Sequence, residues 1–221
     1  MKAPSFAYWK PRSLPEALEL LARPGAKILA GGQSLIPSLN MRLSSPELLV
    51  DITGLPGLSK IEFRKETARI GALTTHAQIE TSPEIAKQVP LLAAAARHVA
   101  HPAIRNRGTL GGSLALADPA AEYPACAVAL QASIVVASRK GERRVKADDF
   151  FRGLFETDLK PGEILVAVEF PTGGRSAFFE LARRHAPAHL RAVDGQRDVE
   201  SVFHARSSRT PARCSLVAEE W

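Results

Sequence analysis

Two short peptides combine the residue types from which an anion-binding loop is made: Ala30-Gly31-Gly32-Gln33-Ser34-Leu35 and Thr109-Leu110-Gly111-Gly112-Ser113. Consecutive glycines let backbone N–H groups converge with no Cβ in the way, and converging N–H groups form a nest for anionic oxygens. Each pair also stands beside a hydroxyl, and a helix opening after Ser34 would add its N-terminal dipole. One isolated Gly pair reads equally as a tight turn; two matched pairs suggest a diphosphate held between them. The commoner nucleotide signatures fail, because Gly108, Gly111 and Gly112 have the wrong spacing for GxGxxG and no GxxxxGK[ST] is present.

Other candidates are weaker. Asp118 and Glu122 flank Pro119; they read either as a carboxylate pair for acid–base work or as acceptors for ligand hydroxyls. His98-x-x-His101 lacks the Cys, Asp or Glu companions of a metal site and is expected to be a helix-end pair. Cys126 and Cys214 belong to no CxxC motif, so neither an iron–sulfur cluster, a structural zinc nor a disulfide framework is expected from this chain. No catalytic residue and no metal ligand is assigned.

These loops need elements to hold them. Ser13-Leu14-Pro15-Glu16 is a capping box ahead of an apolar stripe, and that helix should stop at Pro24-Gly25. A strand at 27–30, the Gly-Gly turn and a helix over 35–43 with Ser34 as N-cap make one strand–turn–helix unit. Short strands are expected at 48–52 and 68–72. The stretch 75–100 reads as helical, starting at Thr75-x-x-Gln78, with Pro83 and Pro90 each in a first turn. Residues 101–124 read as a long irregular segment of the kind usually kept for function. Strands return at 133–137 and 164–170. Between them, Arg139, Lys140, Arg143, Arg144 and Lys146 surround Gly141 and read as a solvated hairpin tip, the alternative being an anion or partner patch.

Composition narrows the classes. The chain has 221 residues, 45% hydrophobic and 24% charged, which is a globular balance. The net charge of +6 is spread along the sequence, so nucleic acid is not an expected partner. The longest mainly apolar run, 124–137, is too short to span a membrane, and residues 1–11 have no apolar signal core. The cytoplasm is the expected compartment. After His185 the pattern changes: residues 186–221 contain no Ile, Lys or Met but five Arg, and no helical or strand period persists.

The sequence resembles the FAD-binding medium subunits of molybdenum hydroxylases, in particular the medium chain of carbon monoxide dehydrogenase and the FAD subunit of xanthine dehydrogenase. The resemblance rests on Phe6-x-Tyr8, Ser13-Leu14-x-Glu16-Ala17-Leu18, AGGQSLIP at 30–37, Val50-Asp51-Ile52, Ile70-Gly71-Ala72, and Ile104-Arg105-Asn106-Arg107-Gly108-Thr109-Leu110-Gly111-Gly112-Ser113. It continues through Ala117-Asp118-Pro119-Ala120-Ala121-Glu122-Tyr123-Pro124 and Gly162-Glu163-Ile164-Leu165 to Phe178-Phe179-Glu180.

The resemblance implies an α+β fold of the molybdenum hydroxylase and vanillyl-alcohol oxidase type. It places one FAD-binding subdomain in residues 1–55, a second in 56–172, and a remnant of a third, largely missing, C-terminal domain in 173–221, atypical from about 186. It implies that FAD contacts Ala30 to Leu35, Thr109 to Ser113, Asp118 and Glu122, with Ile164 and Leu165 on the strand passing the flavin ring. The molybdenum cofactor and iron–sulfur clusters would then lie in a large and a small partner subunit, in a heterotrimer that dimerises, in the cytoplasm or at the inner face of the membrane through the complex. The implied role is electron transfer. The competing expectation is a truncated or scaffold fragment without productive flavin. A stand-alone flavin oxidase is a third, but neither Gly loop holds a His or Cys for covalent attachment.

Overall fold

The computed structural model describes residues 2–173 and, as backbone, three further strands at 176–183, 186–194 and 197–200. The chain begins with β1 (Ala7–Trp9), α1 (Leu14–Leu21), β2 (Ala26–Leu29), α2 (Leu35–Asn40) and β3 (Leu48–Asp51). These strands form an all-parallel sheet in the order β1-β3-β2. Ser13 caps α1 by accepting the Glu16 N–H at 3.3 Å. The Glu16 carboxylate takes the N–H of Arg12 at 2.8 Å and the Trp9 indole at 3.1 Å, so the box closes mainly one residue earlier than its pattern suggests.

A second layer follows: β4 (Ile61–Arg64), β5 (Thr67–Gly71), α3 (His76–Thr81), α4 (Pro83–Gln88), α5 (Pro90–Ala96), α6 (Pro102–Arg105), α7 (Leu110–Leu116), α8 (Glu122–Ala129), β6 (Ser133–Ser138), β7 (Gly141–Lys146), α9 (Ala147–Phe150), β8 (Phe151–Gly153), β9 (Glu156–Thr157) and β10 (Ile164–Pro171). Five of these strands make an antiparallel sheet, β4-β5-β10-β6-β7. The strand β4 has no counterpart in the sequence reading, since Glu62 and Arg64 dilute its apolar residues. The expected helix over 75–100 is three helices, because each proline opens a new one: Pro83 and Pro90 lack the N–H that would continue the preceding turn. The capping box at Thr75 and Gln78 forms in full. The segment 101–124 is mostly helical rather than irregular; its small residues hide an apolar face made by Leu110 and Leu114.

The strands β6 and β10 of the five-stranded sheet are buried on both faces. On β10, Leu165, Val168 and Phe170 enter a core with α3–α5, α7 and α8, whereas Ile164, Val166 and Ala167 join the core of α1 and the parallel sheet. A bulge between Leu165 and Ala167 puts Val166 and Ala167 on the same side. On β6, Ile134 and Val136 face one core and Val135 and Ala137 the other. Two-sided burial explains why these strands read as continuous apolar runs. It also makes the back of one layer the floor of the other.

The basic hairpin is β6–β7, with Gly141 in the turn at φ +119°. It is clamped two residues beyond Gly141 by Arg143, which gives Glu163 two bonds of 2.8 and 2.7 Å and Asp158 one of 2.8 Å, plus 2.7 Å to the Asp158 carbonyl. Asp158 also receives Arg152 and Lys160. Lys160, then Arg143, holds the Asp158 carboxyl far below its usual range.

The tail departs from expectation. β11 (Ser176–Arg183), β12 (Ala186–Asp194) and β13 (Arg197–Glu200) form an antiparallel meander, the last two in the stretch after His185 where no strand period was expected. Backbone pairing needs no apolar alternation, which is why Arg191 and Asp194 did not prevent it. Residues 201–221 lie outside the described residues, as does the side-chain environment of the tail.

Replacing Arg143 with Met leaves Asp158 and Glu163 without their shared fork. Because the arginine is one-third exposed, the expected loss is about 1–2 kcal/mol rather than the larger value of a fully buried pair. Arg143→Lys should recover less than half, since an ammonium cannot bond both carboxylates in one plane. Urea unfolding of the three proteins measures this.

Candidate functional site

The first Gly loop follows β2 and the second joins α6 to α7, and the fold presses them together. The first runs from the C-terminal end of β2 into α2. A Cβ on Gly31 would lie 2.2 Å from the Arg107 carbonyl oxygen and 2.8 Å from the Gly108 Cα. Only a glycine permits that approach, so the first loop rests directly on the turn that enters the second. Gly32 has φ +72°, and this left-handed step rotates successive amides toward one side. Among the described residues no acceptor takes the backbone N–H of Gly31, Gly32, Gln33 or Ser34. The Gln33 amide folds back onto the Gly31 carbonyl at 2.9 Å. Ser34 makes no side-chain cap; the turn closes instead through the Ile36 N–H on the Gly32 carbonyl at 3.0 Å.

The second loop differs. Four N–H groups at the start of α7 are already occupied: Leu110 by the Thr74 carbonyl, Gly111 by the Ala72 carbonyl, Gly112 by Thr109 Oγ1 and Ser113 by the Thr109 carbonyl. The symmetric reading of two nests is therefore corrected. Gly111 is buried, and its Cβ would lie 2.6 Å from that of Ala72. Gly112 is exposed, and a Cβ there would meet only Thr109 Oγ1, at 2.9 Å. One glycine of the pair lets the loop dock on the sheet. The other leaves its outer face bare for a ligand.

Behind the second loop sits a buried polar group that the sequence reading missed. The His76 N–H donates to the Gly108 carbonyl at 3.0 Å, and a Cβ on Gly108 would fall 2.5 Å from His76 Nε2. The His76 ring packs on Tyr123 at 5.1 Å, the residue after Glu122. Burial, reinforced by the charge of Arg105, lowers the His76 pKa to about 4. Arg105 bonds Glu80 at 2.8 Å and the Val99 and Ala100 carbonyls at 3.1 Å, tying the loop's approach to the end of α5. The spacing TTH at 74–76 carried no signal, because the histidine acts through packing.

The remaining candidates divide. Asp118 accepts the Ala120 N–H at 2.9 Å, stabilising the turn into α8. Glu122 is 8% exposed in the first turn of α8, where the helix dipole favours a carboxylate. Ile164 and Leu165 are 1% and 5% exposed, with side chains in opposite cores. Cys126 is buried; desolvation, then Glu122, raises its thiol pKa and keeps it neutral, which removes it as a nucleophile. A further group lies at the C-terminal end of the parallel sheet's central strand, where Asp51 stands in register with Leu29. It accepts Tyr8 Oη, the Thr53 N–H at 2.9 Å and Thr53 Oγ1 at 2.6 Å. Burial pushes the Asp51 carboxyl up, but these bonds outweigh it and hold it below its ordinary value.

The donor set suits an anionic cofactor with a diphosphate: free amides on one loop, a bare glycine and Ser113 on the other, and a carboxylate nearby for hydroxyls. Residues 4–173 match the model of the FAD binding domain in molybdopterin dehydrogenase. The 6-hydroxypseudooxynicotine dehydrogenase complex subunit alpha of Paenarthrobacter nicotinovorans is 49% identical over 84% of this chain and 64% of its own length. The carbon monoxide dehydrogenase medium chain of Hydrogenophaga pseudoflava is 41% identical over 83% and 66%. Quinoline 2-oxidoreductase from Pseudomonas putida 86 superposes with a TM-score of 0.85 at 45% identity, covering 88% of this chain and 70% of that one. The chain thus spans about two thirds of the length of these curated relatives.

Two outcomes follow from the geometry. Gly31→Ala should destabilise the fold by about 1–3 kcal/mol as the Arg107 carbonyl is displaced, whereas Gly112→Ala, which presses only on the Thr109 hydroxyl, should cost less stability while lowering FAD affinity. Thermal melts paired with flavin titration separate them. His76 titrates near 6.5 when unfolded and near 4 when folded. Below pH 6.5 the unfolded state therefore binds the extra proton, and stability falls as pH drops toward 4, by up to about 3 kcal/mol, then levels. A His76→Gln variant should lose that part of the slope in denaturant unfolding across this pH range.

Proposed function

Because the chain belongs to the family of the FAD binding domain in molybdopterin dehydrogenase, we propose that it is the FAD-holding electron-transfer subunit of a molybdenum-containing hydroxylase. In this reading it takes electrons from the iron–sulfur clusters of a small partner subunit and delivers them to an external acceptor. A large partner carries the molybdenum cofactor and the substrate chemistry, and the complex is a dimer of heterotrimers. The cytoplasm is the compartment we infer; among the described residues no helix is long and apolar enough to cross a membrane.

The observation that supports this most is the run of unclaimed amides from Gly31 to Ser34, held by backbone contact against the turn at Arg107 and Gly108. FAD, when bound, would supply the exchange between paired and single electrons that side chains cannot perform. The chain's own contribution is placement. The Gly31–Ser34 amides hold diphosphate oxygens, Gly112 admits close backbone approach, and Ser113 and Glu122 bond polar groups of the remaining chain. Cys126 and His76 are buried and neutral, so neither offers a reactive thiolate or a proton that exchanges near neutral pH. The relatives' names carry different substrates, 6-hydroxypseudooxynicotine, carbon monoxide and quinoline, which agrees with substrate choice residing in another subunit.

The visible absorption spectrum of the purified chain, before and after incubation with FAD and desalting, tests this reading. A retained flavin band that Gly112→Val abolishes without loss of helicity is the expected result. A chain that keeps no flavin under either condition overturns it in favour of a scaffold fragment.

A further inference from the structure

At the opposite end of β2 from the Gly loop lies a cleft of about 780 Å³. One wall is the end of α1 and its turn into β2, including Arg23. The other is the β6–β7 hairpin tip, with Arg139 and Lys140, and the turn Lys160 to Glu163. The cleft therefore lies between the parallel sheet's layer and the antiparallel sheet's layer, away from the site already described.

Its charge is unbalanced. Both Glu163 oxygens are taken by Arg143, and one also accepts the Lys160 N–H at 2.8 Å. The Lys160 ammonium is paired with Asp158 at 2.9 Å. Arg23, Arg139 and Lys140 are exposed, and among the described residues none has a carboxylate partner. Three cations thus face a cleft whose one acidic side chain is already neutralised. The hairpin that carries two of them is held in place, because Arg143 clamps it to the Asp158–Glu163 segment.

The rest of the lining selects among anions. The C-terminal end of α1 forms part of the wall, with no basic residue in its last turn. Its carbonyls carry partial negative charge and disfavour a compact anion there, while accepting N–H groups. Among the described residues no aromatic side chain lines the cleft, so none of them offers a base a surface to stack on. Leu21, Pro24 and Pro161 add apolar surface. Amide donors, carboxylates and apolar side chains occur together in one kind of ligand. We propose that this cleft docks an extended acidic segment of a polypeptide, supplied by a subunit with which the chain assembles.

The identity of that partner rests on the function proposed above; the cleft's preference for acidic peptide does not. Such a segment would touch both layers at once and brace their relative position from the side away from the Gly31 contact.

The test uses the full chain and a fluorescein-labelled peptide of alternating Glu and Leu, followed by fluorescence anisotropy at rising salt. The unmodified chain should bind it, with affinity falling as ionic strength rises. The triple variant Arg23→Glu, Arg139→Glu, Lys140→Glu should weaken binding at least about tenfold at low salt, with unchanged melting temperature. Equal binding by both proteins, or no binding by either, overturns the proposal. Displacement of the peptide by inorganic phosphate at comparable concentration overturns it in favour of a simple anion site. Self-association of the chain abolished by the same triple variant, with no peptide bound, overturns it in favour of a second copy. FAD titration of both proteins is measured in parallel, so that loss of flavin binding counts against the electron-transfer reading and not against the cleft.

Discussion

The contact on which the site depends is between backbones: Gly31 lies against the Arg107 carbonyl at a distance that any Cβ would violate. Side chains usually set spacing between layers, and their rotamers give it tolerance. Here two main chains touch with nothing between them, so the separation of the two loops follows from peptide geometry alone. One layer down, Gly111 closes on Ala72 in a similar way, and Gly108 makes room for the His76 ring. A chain of glycine contacts thus runs from the first loop through the second to the sheet and to α3.

That chain needs a stable backing, which the two-sided burial of β6 and β10 provides. Each strand sends alternate residues into opposite cores, so neither core can shift without disturbing the other. The bulge at Val166 keeps this arrangement continuous with the second loop, since the Val166 carbonyl accepts the Ala72 N–H at 2.9 Å and the Ala72 carbonyl in turn holds Gly111. The charged clamp at Arg143 performs a similar task on the far edge, joining β7 to the turn before β10.

Much of this was legible in the sequence. Capping at Ser13 and Thr75, the prolines at 83 and 90 and the basic hairpin all depend on neighbours a few residues away, which local pattern reads well. The paired glycines were also legible as positions of close backbone approach. Their division of labour was not, because whether Gly111 faces Ala72 or a ligand depends on a strand some forty residues earlier. His76 escaped for the same reason: buried, neutral and packed on Gly108 and Tyr123, it leaves no periodic trace. β4 and the strands after Ser176 were missed where charge interrupts alternation, since ladder hydrogen bonds are indifferent to side-chain polarity.

The amides of the second loop are spoken for before any ligand arrives, whereas those of the first are not. The entropy of fixing the second loop is therefore spent during folding, and only the short run from Gly31 to Ser34 has ordering left to lose on binding. That run is also the part resting on another loop's main chain, which limits how far it can stray. In the proposed reading, affinity for the diphosphate is then set mainly by how well four peptide units are held, and little by the helix that follows the second loop.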